Sequence, residues 1–146
     1  MWCHQEIPKL GRLDLIRMVY RNGKLVQGED TRPISIGSLT HQIYTMKDTL
    51  TSDPTKYYVP NEKNNATFDA FCRSNGNGIG LQMTLATTHS VAPSGLNLLQ
   101  RRLSANVKMN DYYFVFVIPK GQKFECVAPQ SQFGFTFCTL ELDHGK

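Results

Sequence analysis

Most of the signals that identify a small protein at a glance are missing from this chain. Its four cysteines, Cys3, Cys72, Cys126 and Cys138, form no C-x-x-C pair, which argues against a zinc ribbon or a dithiol redox motif. A zinc site from Cys126, Cys138 and His144 would have to span a C-x₁₁-C gap that fits no standard knuckle. The longest apolar run, Tyr112 to Ile118, is about a third of what a membrane-spanning helix needs. Met1 to Leu10 carries His4, Gln5, Glu6 and Lys9 and no apolar signal core. The expectation is a soluble, intracellular protein with no membrane partner and with free, buried thiols. Asn65-Ala66-Thr67 is a formal glycosylation sequon, but it means little without a secretory route. An excess of one charge is also lacking. Sixteen basic residues against 12 acidic ones leave +4, which permits a polyanionic partner without requiring one.

Common catalytic signatures are absent too. There is no G-x-S-x-G elbow, no G-x-x-x-x-G-K-[ST] loop and no H-x-x-x-H pair among His4, His41, His89 and His144. Gly76, Gly78 and Gly80 do not make a phosphate loop. Such a loop needs a helix N-terminus after it, and here a strand follows.

What is present is an ordinary globular composition. The 146 residues are 40% hydrophobic and 19% charged, enough for one domain around one core. Residues 13 to 27 read as a β-hairpin turning on Asn22-Gly23, because both residues tolerate positive φ. Leu39, Ile43, Met46 and Leu50 recur at helical spacing, which predicts an amphipathic helix over roughly 38 to 50. Lys56 to Val59 and Thr67 to Phe71 read as strands, followed by a flexible Ser74 to Gly78 connection. Ile79 to Ala86 reads as a third strand, with Gln82 and Thr84 on one face and Leu81, Met83 and Leu85 on the other. Pro93-Ser94-Gly95 opens a second helix with a Leu96, Leu99, Leu103 stripe. Tyr112 to Ile118 is apolar on both faces and belongs in the middle of a covered sheet. Its aromatics Tyr112, Tyr113, Phe114 and Phe116 therefore read as core. Phe124 to Val127 and Phe133 to Leu140 are expected to add strands at an edge. The fold class expected is α/β, a mixed central sheet flanked by helices with an N-terminal β-hairpin.

The order helix, strand, strand with Asp69, strand with Gln82-Met83-Thr84, helix, buried strand resembles the core of the PD-(D/E)XK nuclease superfamily. Tyr57-Tyr58-Val59-Pro60, Thr67-Phe68-Asp69-Ala70-Phe71, Leu81-Gln82-Met83-Thr84, His89 and Tyr113 to Pro119 resemble the nuclease-like domains of Crinkler-type effectors and retrotransposon hot spot proteins. The resemblance spans about residues 38 to 120. It implies a restriction-endonuclease-like core of α-β-β-β-α-β order. It also implies a nucleic-acid partner and an effector or mobile-element setting in the nucleus or cytoplasm.

Phosphodiester hydrolysis needs extra negative charge stabilised and a water delivered in line, and Mg²⁺ or Mn²⁺ can do both. The resemblance makes Asp69, Gln82 and the backbone carbonyl of Met83 the metal ligands. Thr84 and His89 would position water or phosphate. Gln82 stands where the family has an acidic residue, and Thr84 stands where it has a lysine; Lys63 or Lys120 could restore the missing positive charge. Arg101 and Arg102 are candidate phosphate-backbone contacts. Each also has a plainer reading: Asp69, Gln82 and Thr84 as polar residues of an exposed face, His89 as a backbone hydrogen-bonding partner, the arginines as a solvated helix face. The two replacements also allow a catalytically silent fold that binds nucleic acid or a protein partner. A self-associating domain is a third option.

Overall fold

The computed structural model describes residues 2–44, 53–60, 68–104, 109–127 and 134–143, without the side chains of residues 2 and 3. The chain opens with helix α1 (Trp2–Glu6) and a 3₁₀ turn, Ile7–Lys9. The long strands β1 (Gly11–Arg21) and β2 (Lys24–Gly37) follow, then β3 (Thr40–Tyr44), β4 (Lys56–Pro60), β5 (Ala70–Ser74), β6 (Asn77–Met83) and β7 (Thr88–Ser90). Helix α2 (Pro93–Leu103) leads to β8 (Asp111–Pro119), β9 (Glu125–Val127) and β10 (Phe135–Leu142). The result is a mixed α/β protein dominated by a ten-stranded mixed sheet ordered β3-β4-β5-β6-β8-β10-β1-β2-β9-β7.

The centre of the sheet forms because β8 has no polar side. Tyr113, Val115 and Val117 enter one core, and Phe114, Phe116 and Ile118 enter the other. Such a strand is stable only with neighbours on both edges and cover on both faces. It is parallel to β6 on one side and to β10 on the other. Helix α2 connects β6 to β8 and buries Leu96, Leu99 and Leu103 completely. Pro93 in its first turn carries a φ already suited to the helix. The helix lies so close to β6 that a Cβ on Gly80 would collide with the methyl groups of Leu99. The glycines after Ser74 therefore serve packing, and Asn75-Gly76 forms a tight turn with both φ positive (51° and 81°). That turn replaces the flexible connection expected there.

The opposite face has a different cover. Leu13, Leu15, Ile34 and Ile36 of the β1–β2 hairpin pack on Ile79, Leu81, Val115, Val117 and Leu140. Ser74 Oγ donates to the Ser35 carbonyl at 2.6 Å, pinning β2 to β5. The hairpin then changes sides, because its outer residues Met18 and Leu25 belong to the core under α2. The change falls at a large bulge. Ile16 pairs with Thr31 and Met18 with Gln27, so Gly28, Glu29 and Asp30 stand opposite Arg17 alone. Gly28 is needed there, since a Cβ would lie 2.6 Å from the Arg17 carbonyl oxygen.

Three expectations are corrected. Residues 40–44 of the expected first helix form β3, paired in parallel with β4; residues 45–50 lie outside the described residues. Ile43 is 57% exposed, while Tyr44 is the buried residue, ringed by Tyr58 and Phe71. β10 is not at an edge but between β8 and β1. The third strand ends at Met83, so Thr84 and Leu85 lie beyond it. Of the expected α-β-β-β-α-β order, the described residues contain β4, β5, β6, α2 and β8 as spatial neighbours.

Candidate functional site

Asp69 sits in the bend just before β5 rather than inside a strand. Its N–H donates to the Leu81 carbonyl at 2.7 Å, and its carboxylate Oδ2 accepts the Met83 N–H at 2.7 Å. The side chain thus extends the β5–β6 ladder by one rung and holds the end of β6 in place. Burial pushes the Asp69 carboxyl above the usual carboxylate range, while the Met83 N–H and the nearby His89 pull the other way.

Gln82 shares a strand face with Gly78 and Gly80, so it points to the side covered by α2. Its Nε2 is 3.4 Å from the Met83 carbonyl, a long contact. Its Oε1 is buried and has no hydrogen-bond partner among the described residues. An unsatisfied buried amide oxygen costs about 1–3 kcal/mol, so the position calls for a donor or a cation.

His89 lies on β7, a short strand paired with β9 at the sheet's far edge in chain terms. Its ring is 5.7 Å from that of Phe116, and Phe116 is the cross-strand partner of Gln82. Asp69, Gln82 and His89 therefore occupy one neighbourhood at the C-terminal ends of β6 and β8. His89 Nδ1 accepts the Ser90 N–H at 3.0 Å, which leaves Nε2 as the protonated nitrogen of the neutral ring. Thr84 caps a turn instead of facing the same hollow. Its N–H donates to the Val117 carbonyl at 3.0 Å, and its Oγ1 accepts the Ala86 N–H at 3.1 Å.

The remaining candidates scatter. Lys120 is exposed just past β8, at the same sheet end as Met83, whose partner is Val117. Arg101 and Arg102 are in the last turn of α2, where Leu103 lies over Gly78, so they sit at the opposite end of β6 from Gln82. Arg101 is exposed, while the Arg102 guanidinium stands 5.7 Å from the centre of the Tyr44 ring. Lys63, His144 and the Asn65 sequon lie outside the described residues. Cys72, Cys126 and Cys138 are free and buried, and burial pushes their thiols up to about 12, 12 and 11. Cys126 and Cys138 belong to opposite cores, which separates the two thiols of the conceivable zinc set.

Two features of the site were missed by sequence reasoning. Phe116 forms its aromatic wall, and Gln122 Nε2 holds the loop after β6 by donating to the Leu85 and Ala86 carbonyls at 3.1 and 2.9 Å. Neither has a local sequence signal, since each depends on strand pairing.

The oxygens on offer are the second carboxylate oxygen of Asp69, Gln82 Oε1 and the Met83 carbonyl. This set is hard and all-oxygen, as Mg²⁺ prefers, but it carries one negative charge. Among the described residues, no group of three or more His, Cys, Asp or Glu side chains could hold a metal ion. A cavity of about 420 Å³ opens beside β7, lined by Thr87, Thr88, Lys123 and Glu125 among others, but not by Asp69 or Gln82. No helix among the described residues is long and apolar enough to cross a membrane. The sequence matches no family model, and neither a curated protein nor a solved structure matches the chain.

Proposed function

We propose that this is a nuclease-like domain that engages the phosphodiester backbone of DNA or RNA at the C-terminal ends of β6 and β8. The observation that carries the reading is the orphaned Gln82 Oε1 next to a half-buried Asp69 carboxylate. Both would be relieved by a small hard cation, and one Mg²⁺ or Mn²⁺ there would neutralise phosphate charge and make a bound water more acidic. Asp69, Gln82 and the Met83 carbonyl would hold it. His89, with Nε2–H available, would donate to a phosphate oxygen, and Lys120 would add positive charge from the same sheet end. The antiparallel run β4-β5-β6, followed after the short β7 by α2 and the parallel strand β8, supports this reading; an effector or mobile-element setting rests on the sequence resemblance alone.

The test is cleavage of plasmid DNA and of single-stranded RNA with Mg²⁺ or Mn²⁺. Metal-dependent cleavage should fall by at least about 100-fold in Asp69→Ala, the range typical for losing a principal catalytic group. Undiminished cleavage in that variant would place the chemistry elsewhere. A second reading has its own support: one Asp69 oxygen is already committed to the Met83 N–H, and among the described residues Asp69 belongs to no group of three or more His, Cys, Asp or Glu side chains that could hold a metal ion. On that reading the domain binds nucleic acid without cutting it. Salt-sensitive binding in the absence of any cleavage is its expected result.

A further inference from the structure

The bulge of the β1–β2 hairpin encloses a second polar site. A cavity of about 190 Å³ lies there, lined by Arg17 of β1 and Arg32 of β2, with Tyr113 of β8 and Thr136 of β10. It is separate from the site above. Tyr113 is toward the start of β8, whereas Gln82 and Met83 pair with Phe116 and Val117 nearer its end.

The backbone places these groups together. Arg32 pairs with Leu15 and shares a strand face with the buried Ile34 and Ile36, but it is exposed, as is Arg17, so both guanidiniums are open to solvent at the cavity's rim. Its Nη1 donates to the Tyr113 hydroxyl at 3.3 Å, which leaves that O–H proton free to point into the cavity. Arg17 is the cross-strand partner of Cys138, and Thr136 is the partner of Tyr113. Both arginines and Cys138 line the same cavity, which brings the two cations to one site. The ion pairs among the described residues are Arg12–Asp14 and Lys24–Glu125. Asp30 also lines the cavity, but it forms no ion pair with Arg17 or Arg32.

Two guanidiniums and one carboxylate on the same cavity leave an excess positive charge that favours an added anion. The planar forks of the guanidiniums match the oxygens of a tetrahedral anion, and the hydroxyls of Thr136 and Tyr113 add donors. The space is below the ~300 Å³ at which organic-ligand pockets begin. We propose that this cavity is an oxyanion site that takes a single phosphate group, either free phosphate or the terminal phosphate of a polynucleotide. The proposal does not rest on the nuclease-like reading.

The test is titration of the full chain with inorganic phosphate, against chloride at matched ionic strength, followed by amide NMR. Saturable shifts are expected at Thr31, Arg32, Thr136 and Cys138. The double variant Arg17→Gln, Arg32→Gln should bind at least about tenfold more weakly. Asp30→Asn, which removes the opposing charge, should bind a few-fold more tightly, and Asp69→Ala should bind as the wild type does. No saturable shift in the folded wild-type chain at millimolar phosphate overturns the proposal. So does equal affinity in the double variant, or shifts confined to other residues. Should the double variant misfold, the wild-type titration and Asp30→Asn still decide. A 5′-phosphorylated oligonucleotide that competes with phosphate better than its 5′-hydroxyl twin assigns the site to a polynucleotide end. Failure of both to compete assigns it to free phosphate, and equal competition by the two, which needs no terminal phosphate, overturns the single-phosphate proposal.

Discussion

The two faces of the sheet are built from different materials. Under α2 the core is aromatic, with Phe68, Phe71, Phe114, Phe116, Phe124, Phe135 and Phe137 in contact. Under the hairpin it is mostly aliphatic, with Leu13, Leu15, Ile34, Ile36, Ile79, Leu81, Val115 and Val117. The covers explain the difference. One eleven-residue helix must close a face several strands wide, so large rings fill the space beyond its reach. A hairpin packed on a sheet lies close and flat, and branched aliphatic side chains suffice at a spacing of about 10 Å. The polar candidates collect at the borders of these covers: Asp69, Gln82 and His89 beyond the start of α2, Arg17 and Arg32 at the hairpin bulge.

The sharpest way to break this contrast is Phe116→Ala. Phe116 is fully buried and stacks within reach of Phe114, Phe124, Phe137 and His89. Its loss should cost about 3–5 kcal/mol in denaturant unfolding. It should also disturb the His89 ring, visible as a shifted imidazole resonance. Gly80→Ala tests how closely the helix is seated. The added methyl must displace Leu99, which is itself completely buried, so a loss of about 1–3 kcal/mol is expected from thermal melts.

Acid should separate the faces by sign. His4, beside Tyr57 of the aliphatic core, donates or accepts at 2.9 Å with the Tyr57 hydroxyl, and burial lowers its pKa to about 4. A depressed histidine stabilises the fold above its ordinary 6.5, and that contribution is lost as pH falls from 6.5 toward 4. His4→Gln should flatten this loss, by an amount on the order of 1 kcal/mol once solvent screening is discounted. Asp69 runs the other way. Its folded pKa is raised, so the fold gains stability as pH falls through the window just above 3.8, and Asp69→Asn should remove that gain. Stability measured from pH 7 to 4 in both variants checks the two signs.

What the sequence made legible follows from local chemistry. Asn22-Gly23 marked the hairpin, the leucine stripe marked α2, and a strand apolar on both sides marked the sheet's centre. The failures arose where partners decide. Leu39 and Ile43 have helical spacing, yet pairing with β4 made a strand and put Tyr44 inside instead. Phe133 to Leu140 reads locally as an added edge strand, yet pairing with β8 and β1 puts it inside the sheet and buries even Thr139 fully. In the candidate site, Asp69 and Gln82 were named through the family resemblance, not by any local signal. The position of His89 on an edge strand could not be read, because β7 exists only through its pairing with β9. The arginine cavity had no local sign either, since four strands distant in sequence supply its walls.

The central seat of β10 has a consequence for how the molecule comes to be made. β10, which follows every other described strand in sequence, is the one that joins β8 to β1. Strand β1 of the early hairpin gains its place beside the central strands only when residues 135–142 pair with it. The hairpin's apolar face is therefore covered through contacts distant in sequence, the kind of pairing that slows assembly.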